Sequence, residues 1–198
     1  MKKLDELRAK LQPGRIYHRK GLARWSKAVD RHLKQLLDDG ALVKLSQGIY
    51  YCPRQTAFGE APPDEKALVR AFLNDERFLI TSPNVYNVLG IGATQLYNQT
   101  VVYNHKRHGK LSLGNRTFDF RKKSFFPLEL NREFLLVDLV NNLGRVAEER
   151  TALLNEVEKQ LPSFDRAALT DAVRTYGGVA AKKFFAQSLG DDSLYYGN

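Results

Sequence analysis

The sequence predicts an α+β protein, and three observations support this fold class. Apolar residues recur at helical spacing near the start of the chain and again after Pro127. Short runs rich in β-branched and aromatic residues lie between them, and glycine or proline separates most of these segments. With 198 residues, of which 43% are hydrophobic, the chain can form one domain or two modest ones, each with its own core.

The first 54 residues predict a fixed order of short elements. The order is a helix through Leu4, Leu7 and Leu11, an extended piece at residues 15–17, a helical turn at residues 20–24, a longer helix ending at Gly40, and a β-hairpin over residues 42–52. Pro13 and Gly14 close the first helix, and Gly40 ends the longer one. The hairpin turn is predicted at residues 46–48.

The longer helix is amphipathic. Ser26 is predicted to be its N-cap, because a serine hydroxyl can accept a hydrogen bond from a free amide of the first turn. Four apolar residues form one stripe: Val29, Leu33, Leu36 and Leu37. Three cations fall on the opposite side of the helical wheel: Lys27, Arg31 and Lys34. The helix can therefore pack against a core on one side and present positive charge on the other.

This order of elements is that of a winged helix-turn-helix, in which the longer helix enters the major groove and the hairpin is the wing. The pattern predicts base or phosphate contacts from the helix, and phosphate contacts from the preceding turn and the wing. The predicted DNA-binding residues are Arg19, Lys20, Arg24, Ser26, Lys27, Arg31, Lys34, Lys44, Ser46 and Gln47.

The distribution of charge favours the same interpretation. The whole chain carries a net charge of +9. Residues 1–59 carry +8 of it, residues 60–130 carry +3 and residues 131–198 carry −2. The excess of cations is thus concentrated in the predicted DNA-binding region, as expected for a nucleic-acid-binding module attached to a segment with another role.

Composition also predicts where the domains divide. Residues 1–54 are predicted to be the winged helix-turn-helix domain, and residues 55–63, within a proline-rich stretch, the linker. Residues 64–198 are predicted to be a mixed α/β domain that ends in a helical bundle. In that domain a helix begins after Asp64, strands begin near Phe78, Thr100, Lys110 and Arg116, and helices follow Pro127.

Three segments resemble one known family. They are WSKAVDRHLKQLLDDGALVKLSQGIYYCP from Trp25, PPDEKALVRAF from Pro62 and TYGGVAAKKFF from Thr175. They are similar to the AbiE-type (AbiEi) antitoxin regulators of type IV toxin-antitoxin systems. The resemblance implies a transcriptional repressor that binds inverted repeats at its own promoter, with DNA contacts from Lys27, Arg31 and the wing. It also implies that the domain beginning near Asp64 counteracts a nucleotidyltransferase toxin encoded beside it.

Two other functions stay open from the sequence. Asp119, Lys122 and Glu129 loosely resemble the carboxylates and lysine of a nuclease, which would make the chain a DNA-processing enzyme with a targeting domain. The second domain could instead sense a small ligand. His105 and His108 lie among cations without a nearby carboxylate or thiol at ligand spacing, which argues against a metal site. We therefore expect no enzyme activity, metal or cofactor.

The sequence also predicts a cytoplasmic protein without a membrane partner. Cys52 is its single cysteine, so no internal disulfide can form, and this is usual for a reducing compartment. No apolar run approaches the roughly 20 residues that span a bilayer. The first residues, MKKLDELRAKL, place charges where a signal peptide has an apolar core.

Overall fold

The computed structural model describes residues 3–91 and 96–196. The chain forms two compact units, and each is built from two segments. The first contains Met1–Phe78 and Lys106–Phe120, and the second contains Leu79–His105 and Arg121–Asn198. Both helices and small sheets are present, which confirms the predicted α+β class. The stretch 55–63, predicted to be the linker between domains, lies inside the first unit.

The elements have the following bounds in the described residues. The helices are α1 (Lys3–Ala9), α2 (Arg19–Ala23), α3 (Val29–Asp38), α4 (Glu65–Leu73), α5 (Arg132–Asn141), α6 (Arg150–Gln160), α7 (Arg166–Tyr176), α8 (Val179–Leu189) and α9 (Ser193–Tyr196). The strands are β1 (Ile16–His18), β2 (Val43–Ser46), β3 (Ile49–Tyr51), β4 (Arg54–Thr56), β5 (Gly59–Ala61), β6 (Phe78–Thr81), β7 (Thr100–Asn104), β8 (Gly109–Leu113) and β9 (Arg116–Lys122). Three short 3₁₀ helices cover Pro83–Leu89, Leu143–Arg145 and Leu161–Ser163.

The start of the first unit has the element order that the sequence predicts. One core joins α1, α2, α3 and the sheet, and its fully buried members include Leu7, Leu22, Leu36 and Leu42. The amide of Leu42 donates to the carbonyl of Leu36 at 2.9 Å. This bond fixes the start of β2 against the last turn of α3.

Strands β1, β2 and β3 form an antiparallel sheet in the order β1-β3-β2. The turn between β2 and β3 is Gln47 and Gly48, and Gly48 has a φ of 72°, which favours glycine. All three residues of β3 are buried. The central strand therefore supplies the core, while β2 exposes Val43 and Lys44.

The predicted linker contains ordered structure. Strands β4 and β5 form an antiparallel hairpin, with Thr56 paired opposite Gly59. The Tyr51 hydroxyl donates to the Ala61 carbonyl at 2.8 Å, which joins this hairpin to β3. The linker prediction is wrong here because proline and glycine also suit the turn and edges of a two-stranded hairpin. As predicted, α4 begins after Asp64, whose carboxylate accepts from the Ala67 amide at 2.7 Å.

The second unit is mostly helical after its first strands. Strands β6 and β7 are neighbours in a sheet, and α5 to α9 pack around a core that includes Phe134, Leu136, Leu169 and Phe185. The helices predicted after Pro127 are confirmed as α5 to α8. No helix in residues 3–91 and 96–196 has the length and apolar character needed to cross a membrane.

A polar cluster lies within the second unit, around Asp138 of α5. This carboxylate is 1% exposed. It accepts hydrogen bonds from the hydroxyls of Tyr86 and Tyr103, both at 2.8 Å, and from the Lys123 ammonium at 2.8 Å. The Lys123 ammonium also lies 3.9 Å from the centre of the Tyr103 ring. Burial raises the pKa of both tyrosines above its ordinary value, and the Asp138 carboxylate raises it further.

Candidate nucleic-acid interface

The exposed face of α3 carries two of the predicted DNA-binding cations. Arg31 and Lys34 are exposed, whereas Val29, Leu33 and Leu36 are buried on the other side of the helix. The predicted division between an apolar and a cationic face is thus confirmed for these residues. Lys27 is also exposed, but α3 begins at Val29, so Lys27 lies in the preceding turn and not on the helix.

Ser26 does not cap α3 and does not reach the surface. Ala28 occupies the N-cap position and has no side-chain cap bond. The Ser26 side chain is buried, with its hydroxyl 2.8 Å from Nδ1 of the buried His32, and it accepts from the Ala28 amide at 3.2 Å. His32 lies one turn after the start of α3, and its buried ring contacts the Ser26 hydroxyl inside the core. Ser26 is therefore a residue of the local core, which corrects its prediction as a DNA contact.

Arg19 forms a two-point ion pair with Asp30. The guanidinium Nε lies 2.7 Å from Oδ1 of Asp30, and a second nitrogen bonds Oδ2. The hydrogen bond from Arg19 lowers the pKa of Asp30, and the same bond raises the pKa of Arg19. The Arg19 amide also donates to the carbonyl of Gly48 at 2.9 Å. These bonds hold together the start of α2, the first turn of α3 and the hairpin turn.

The other two predicted residues of α2 are on the surface. Lys20 is exposed within the helix, and Arg24 is exposed at its C-cap, where its amide donates to the carbonyl of Gly21 at 3.2 Å. Neither side chain belongs to the core, because Leu22 is the buried residue of this short helix. Both long cationic side chains are thus free of a packing role and can approach a phosphate.

The hairpin between β2 and β3 presents polar groups near its turn. Lys44 is exposed and lies opposite Tyr50, and Gln47 is exposed in the turn. Ser46 is half-buried opposite Ile49, and the pairing is irregular between Lys44 and Ser46. The structure thus places Lys44 and Gln47 on the surface of the hairpin, with Ser46 partly covered.

The strands predicted near Lys110 and Arg116 are confirmed as β8 and β9, which pair as a hairpin with its turn at Gly114 and Asn115 and lie mainly in the same compact unit. The Gly114 amide at its turn donates to the carbonyl of Leu45 in β2 at 2.7 Å. The sequence predicted the strands of this hairpin but not its contact with β2. Its docking on β2 is a contact between residues far apart in the chain, which local patterns do not predict.

The residues that suggested metal or nuclease chemistry lie in different environments. Asp119 is buried in β9, whereas Lys122 and Glu129 are exposed. His105 is half-buried with its ring stacked on Phe126 at a centroid distance of 4.8 Å, and His108 is exposed. Within the part of the chain that the structure describes, no group of three or more His, Cys, Asp or Glu side chains could hold a metal ion.

Comparison with known proteins gives one match. The model of DUF6088, described as a family of unknown function, matches residues 18–159. This range begins in β1, covers α2, α3 and the hairpins β2–β3, β4–β5 and β8–β9, and ends in α6. No curated protein and no solved structure is significantly similar to the chain. Since the family model covers well over half of its length, the chain is a member of the DUF6088 family of unknown function.

Proposed function

We propose that this protein is a transcriptional repressor that binds double-stranded DNA through a winged helix-turn-helix in its first unit. In this proposal α2 and α3 are the helix-turn-helix, α3 is the recognition helix and the β2–β3 hairpin is the wing. The proposal rests on one observation, which is that α3 has an apolar buried face and a cationic exposed face. The helix buries Val29, Leu33 and Leu36 in the core and exposes Arg31 and Lys34 on its outer face.

The dimensions and surroundings of α3 support this role. An α-helix fits the major groove, and residues near its N-terminus approach the base edges. Arg31 lies in the first turn of α3 and Lys27 in the turn before it. Arg19 joins the preceding helix to α3 through its ion pair with Asp30, and to the hairpin turn through its amide, which donates to the Gly48 carbonyl. Lys20, Arg24 and Lys44 supply exposed cations around it, and release of counterions from phosphates would contribute much of the affinity.

We further propose that the protein represses its own operon and acts as the antitoxin of a type IV toxin-antitoxin system. Support for this step comes from the resemblance of the segments at Trp25, Pro62 and Thr175 to the AbiE-type antitoxin regulators. The cognate toxin would be a nucleotidyltransferase encoded beside the gene. Repression would be steric, because a protein on the promoter blocks access to it.

A mobility-shift titration of the full chain tests DNA binding. The probes are a duplex from the region upstream of the gene and a duplex of the same composition in scrambled order. We expect the double variant Lys27→Ala/Arg31→Ala to bind the upstream duplex about 10- to 100-fold more weakly. We also expect the slope of log affinity against log salt to fall by about 2, at roughly 0.9 per lost phosphate contact.

A matched control separates this effect from loss of charge in general. Lys66→Ala/Lys183→Ala also removes two exposed cations, one on α4 and one on α8. It should bind nearly as well as the wild type. Unchanged affinity of the Lys27→Ala/Arg31→Ala protein, with its fold intact, would refute the recognition role of α3.

Co-expression tests the antitoxin role. The full chain should restore growth to cells that express the adjacent nucleotidyltransferase. The Lys27→Ala/Arg31→Ala variant should restore it as well when both genes are driven by a foreign promoter, because antitoxicity is assigned to residues outside the DNA interface. Absence of such a reading frame beside the gene, or failure of rescue by the wild type, counts against the antitoxin role and leaves DNA binding standing.

A further inference from the structure

The tip of the β8–β9 hairpin is fixed on the wing strand β2. Its turn residue Gly114 donates from its amide to the Leu45 carbonyl at 2.7 Å, and a Cβ at Gly114 would lie 3.0 Å from Cδ2 of Leu45. Leu113, the preceding residue, is 1% exposed. Leu45 stands between Lys44 and Ser46, so the hairpin tip lies directly beside two predicted wing residues.

The other end of the hairpin is held by α4. The Lys106 ammonium donates to the carbonyls of Leu73 and Asn74 at 3.2 and 2.9 Å. The Arg107 guanidinium lies 5.9 Å from the centre of the Phe72 ring. Near the tip, Nη1 of Arg116 lies 3.6 Å from Oε2 of Glu65 on α4. The hairpin is thus attached at its tip and at its base and presents a fixed surface.

One face of this hairpin is polar and exposed. Ser112 pairs opposite Thr117 in the register, and their hydroxyl oxygens are 3.2 Å apart. Lys110 lies on the same face two residues away, since side chains alternate along a strand, and all three are exposed. Asn115 is exposed in the turn. Asp119, opposite Lys110, is buried.

The hairpin carries more positive than negative charge, and its one carboxylate, Asp119, is buried opposite Lys110 on the same face. Residues 106–118 contain four cations and no aspartate or glutamate. A lysine with serine, threonine and asparagine is a typical set of groups for contacting DNA phosphates. From Lys110 to Gly114 the strand spans about 13 Å at roughly 3.3 Å per residue. A β-strand of that length can lie along several phosphates beyond those near the wing, because successive phosphates of one DNA strand are separated by about 3.4 Å along the helix axis.

We infer that the β8–β9 hairpin is a second arm of the DNA interface, which contacts the phosphate backbone of the duplex through Lys110, Ser112, Asn115 and Thr117. This inference rests on the proposed function, because the arm extends the surface assigned to α3 and the wing. Phosphate contacts fix the register of a protein on the duplex and carry no base information. The arm therefore strengthens binding equally to specific and non-specific sequence.

Two variants of the full chain test the inference by titration against the upstream duplex and the scrambled duplex. Lys110→Ala removes the exposed cation, and Asn115→Asp adds an anion at the tip. We expect each to weaken binding to both duplexes by the same factor, about threefold or more, and Lys110→Ala to lower the salt slope by about 0.9. Lys183→Ala and Asn155→Asp make the same changes at exposed positions of the second unit and should bind like the wild type.

The outcomes separate this inference from the proposed function. Trp25 is the single tryptophan and lies in the first unit, so its fluorescence verifies that each variant remains folded. If both hairpin variants bind like the wild type while Lys27→Ala/Arg31→Ala loses binding, the arm is refuted and the DNA-binding function stands. If the wild type binds neither duplex, both this inference and the proposed DNA-binding function are refuted. A loss confined to the upstream duplex would also overturn the inference, because it would indicate base contacts.

Discussion

The guanidinium of Arg19 and the carboxylate of Asp30 form a two-point ion pair that joins α2 to the first turn of α3. Both side chains are largely exposed, at 47% and 71%, so the pair adds little to stability. The main effect of the pair is on the charge of the surface around α3. Asp30 places one negative charge beside Arg31 and neutralises Arg19 at the surface proposed to meet DNA.

Replacing Asp30 with asparagine should therefore strengthen DNA binding. Asp30→Asn removes the charge that repels phosphate and releases Arg19 to contact it. We expect affinity to rise about two- to fivefold, as is usual for an exposed charge interaction, and the salt dependence to become steeper. The measurement is a salt titration of the full chain on the upstream duplex. Asp38→Asn, at the far end of the same helix, should give a smaller gain, and an equal gain would contradict the role of the pair.

Ser26→Ala should lower stability without a direct effect on DNA binding. The substitution leaves the buried His32 ring and the Ala28 amide without the hydroxyl that bonds both. We expect a loss of about 1–3 kcal/mol in the free energy of unfolding, the usual cost of an unsatisfied buried polar group. Urea unfolding followed by Trp25 fluorescence measures it. Ser124→Ala, an exposed control, should change stability by less than about 0.5 kcal/mol. Weaker DNA binding with unchanged stability would restore Ser26 as a contact.

Removing the Asp138 carboxylate should destabilise the second unit strongly. Asp138→Ala leaves two buried tyrosine hydroxyls and the Lys123 ammonium without their shared acceptor. A cost of about 3–5 kcal/mol is expected when one partner of a buried charge pair is removed. Hydrogen exchange of the α5 amides and urea unfolding followed by circular dichroism measure it. The control Asp171→Ala removes a carboxylate that is 78% exposed on α7, and similar losses in both variants would contradict the assignment.

The buried tyrosines predict a loss of stability at high pH. The folded-state pKa of Tyr103 is raised, so its contribution to the free energy of unfolding is fully present below the ordinary tyrosine pKa of about 10. It is lost as the pH rises from there towards the folded-state value, because the unfolded chain ionises first. Tyr103→Phe should make the decline in unfolding free energy between pH 10 and 11 shallower, by up to about 1.4 kcal/mol per pH unit. Tyr195→Phe, at an exposed tyrosine, should leave the slope unchanged, and identical slopes in all three proteins would contradict the prediction.

Gly114→Ala should weaken the attachment of the β8–β9 hairpin to β2. Gly114 has a φ of 62°, and its added Cβ would press on Leu45 at 3.0 Å. We expect a loss of about 1–2 kcal/mol from the left-handed backbone alone, with additional cost from the contact. Gly59→Ala is the matched control, because Gly59 also has a positive φ but no atom within 4 Å of its added Cβ. Amide exchange across residues 109–118 should accelerate in Gly114→Ala and not in Gly59→Ala. Equal behaviour of the two variants would show that the contact with Leu45 contributes nothing.

Local patterns predicted the elements of the candidate site well. The apolar stripe of α3 identified which side of the helix is buried, because a period of 3.6 residues sorts side chains onto faces before any tertiary contact forms. The hairpin over residues 43–51 followed from β-branched and aromatic residues around a glycine turn. The same reasoning failed at Ser26, since a serine before a helix can bond either to the first turn or to a buried side chain, and His32 decided between them.

The sequence by itself determined the α+β class, the concentration of positive charge in the first 59 residues and the exposure of Arg31, Lys34 and Lys44. Only the tertiary structure decided that Asp30 pairs with Arg19, that Ser26 is buried, and that Gly114 of the β8–β9 hairpin bonds Leu45 of the β2–β3 hairpin. The physical reason is separation along the chain. Helical and strand periods are set by neighbouring residues, whereas these bonds depend on groups brought together when the core forms. Gly114 and Leu45 lie on separate hairpins of the chain, and no local preference encodes their contact.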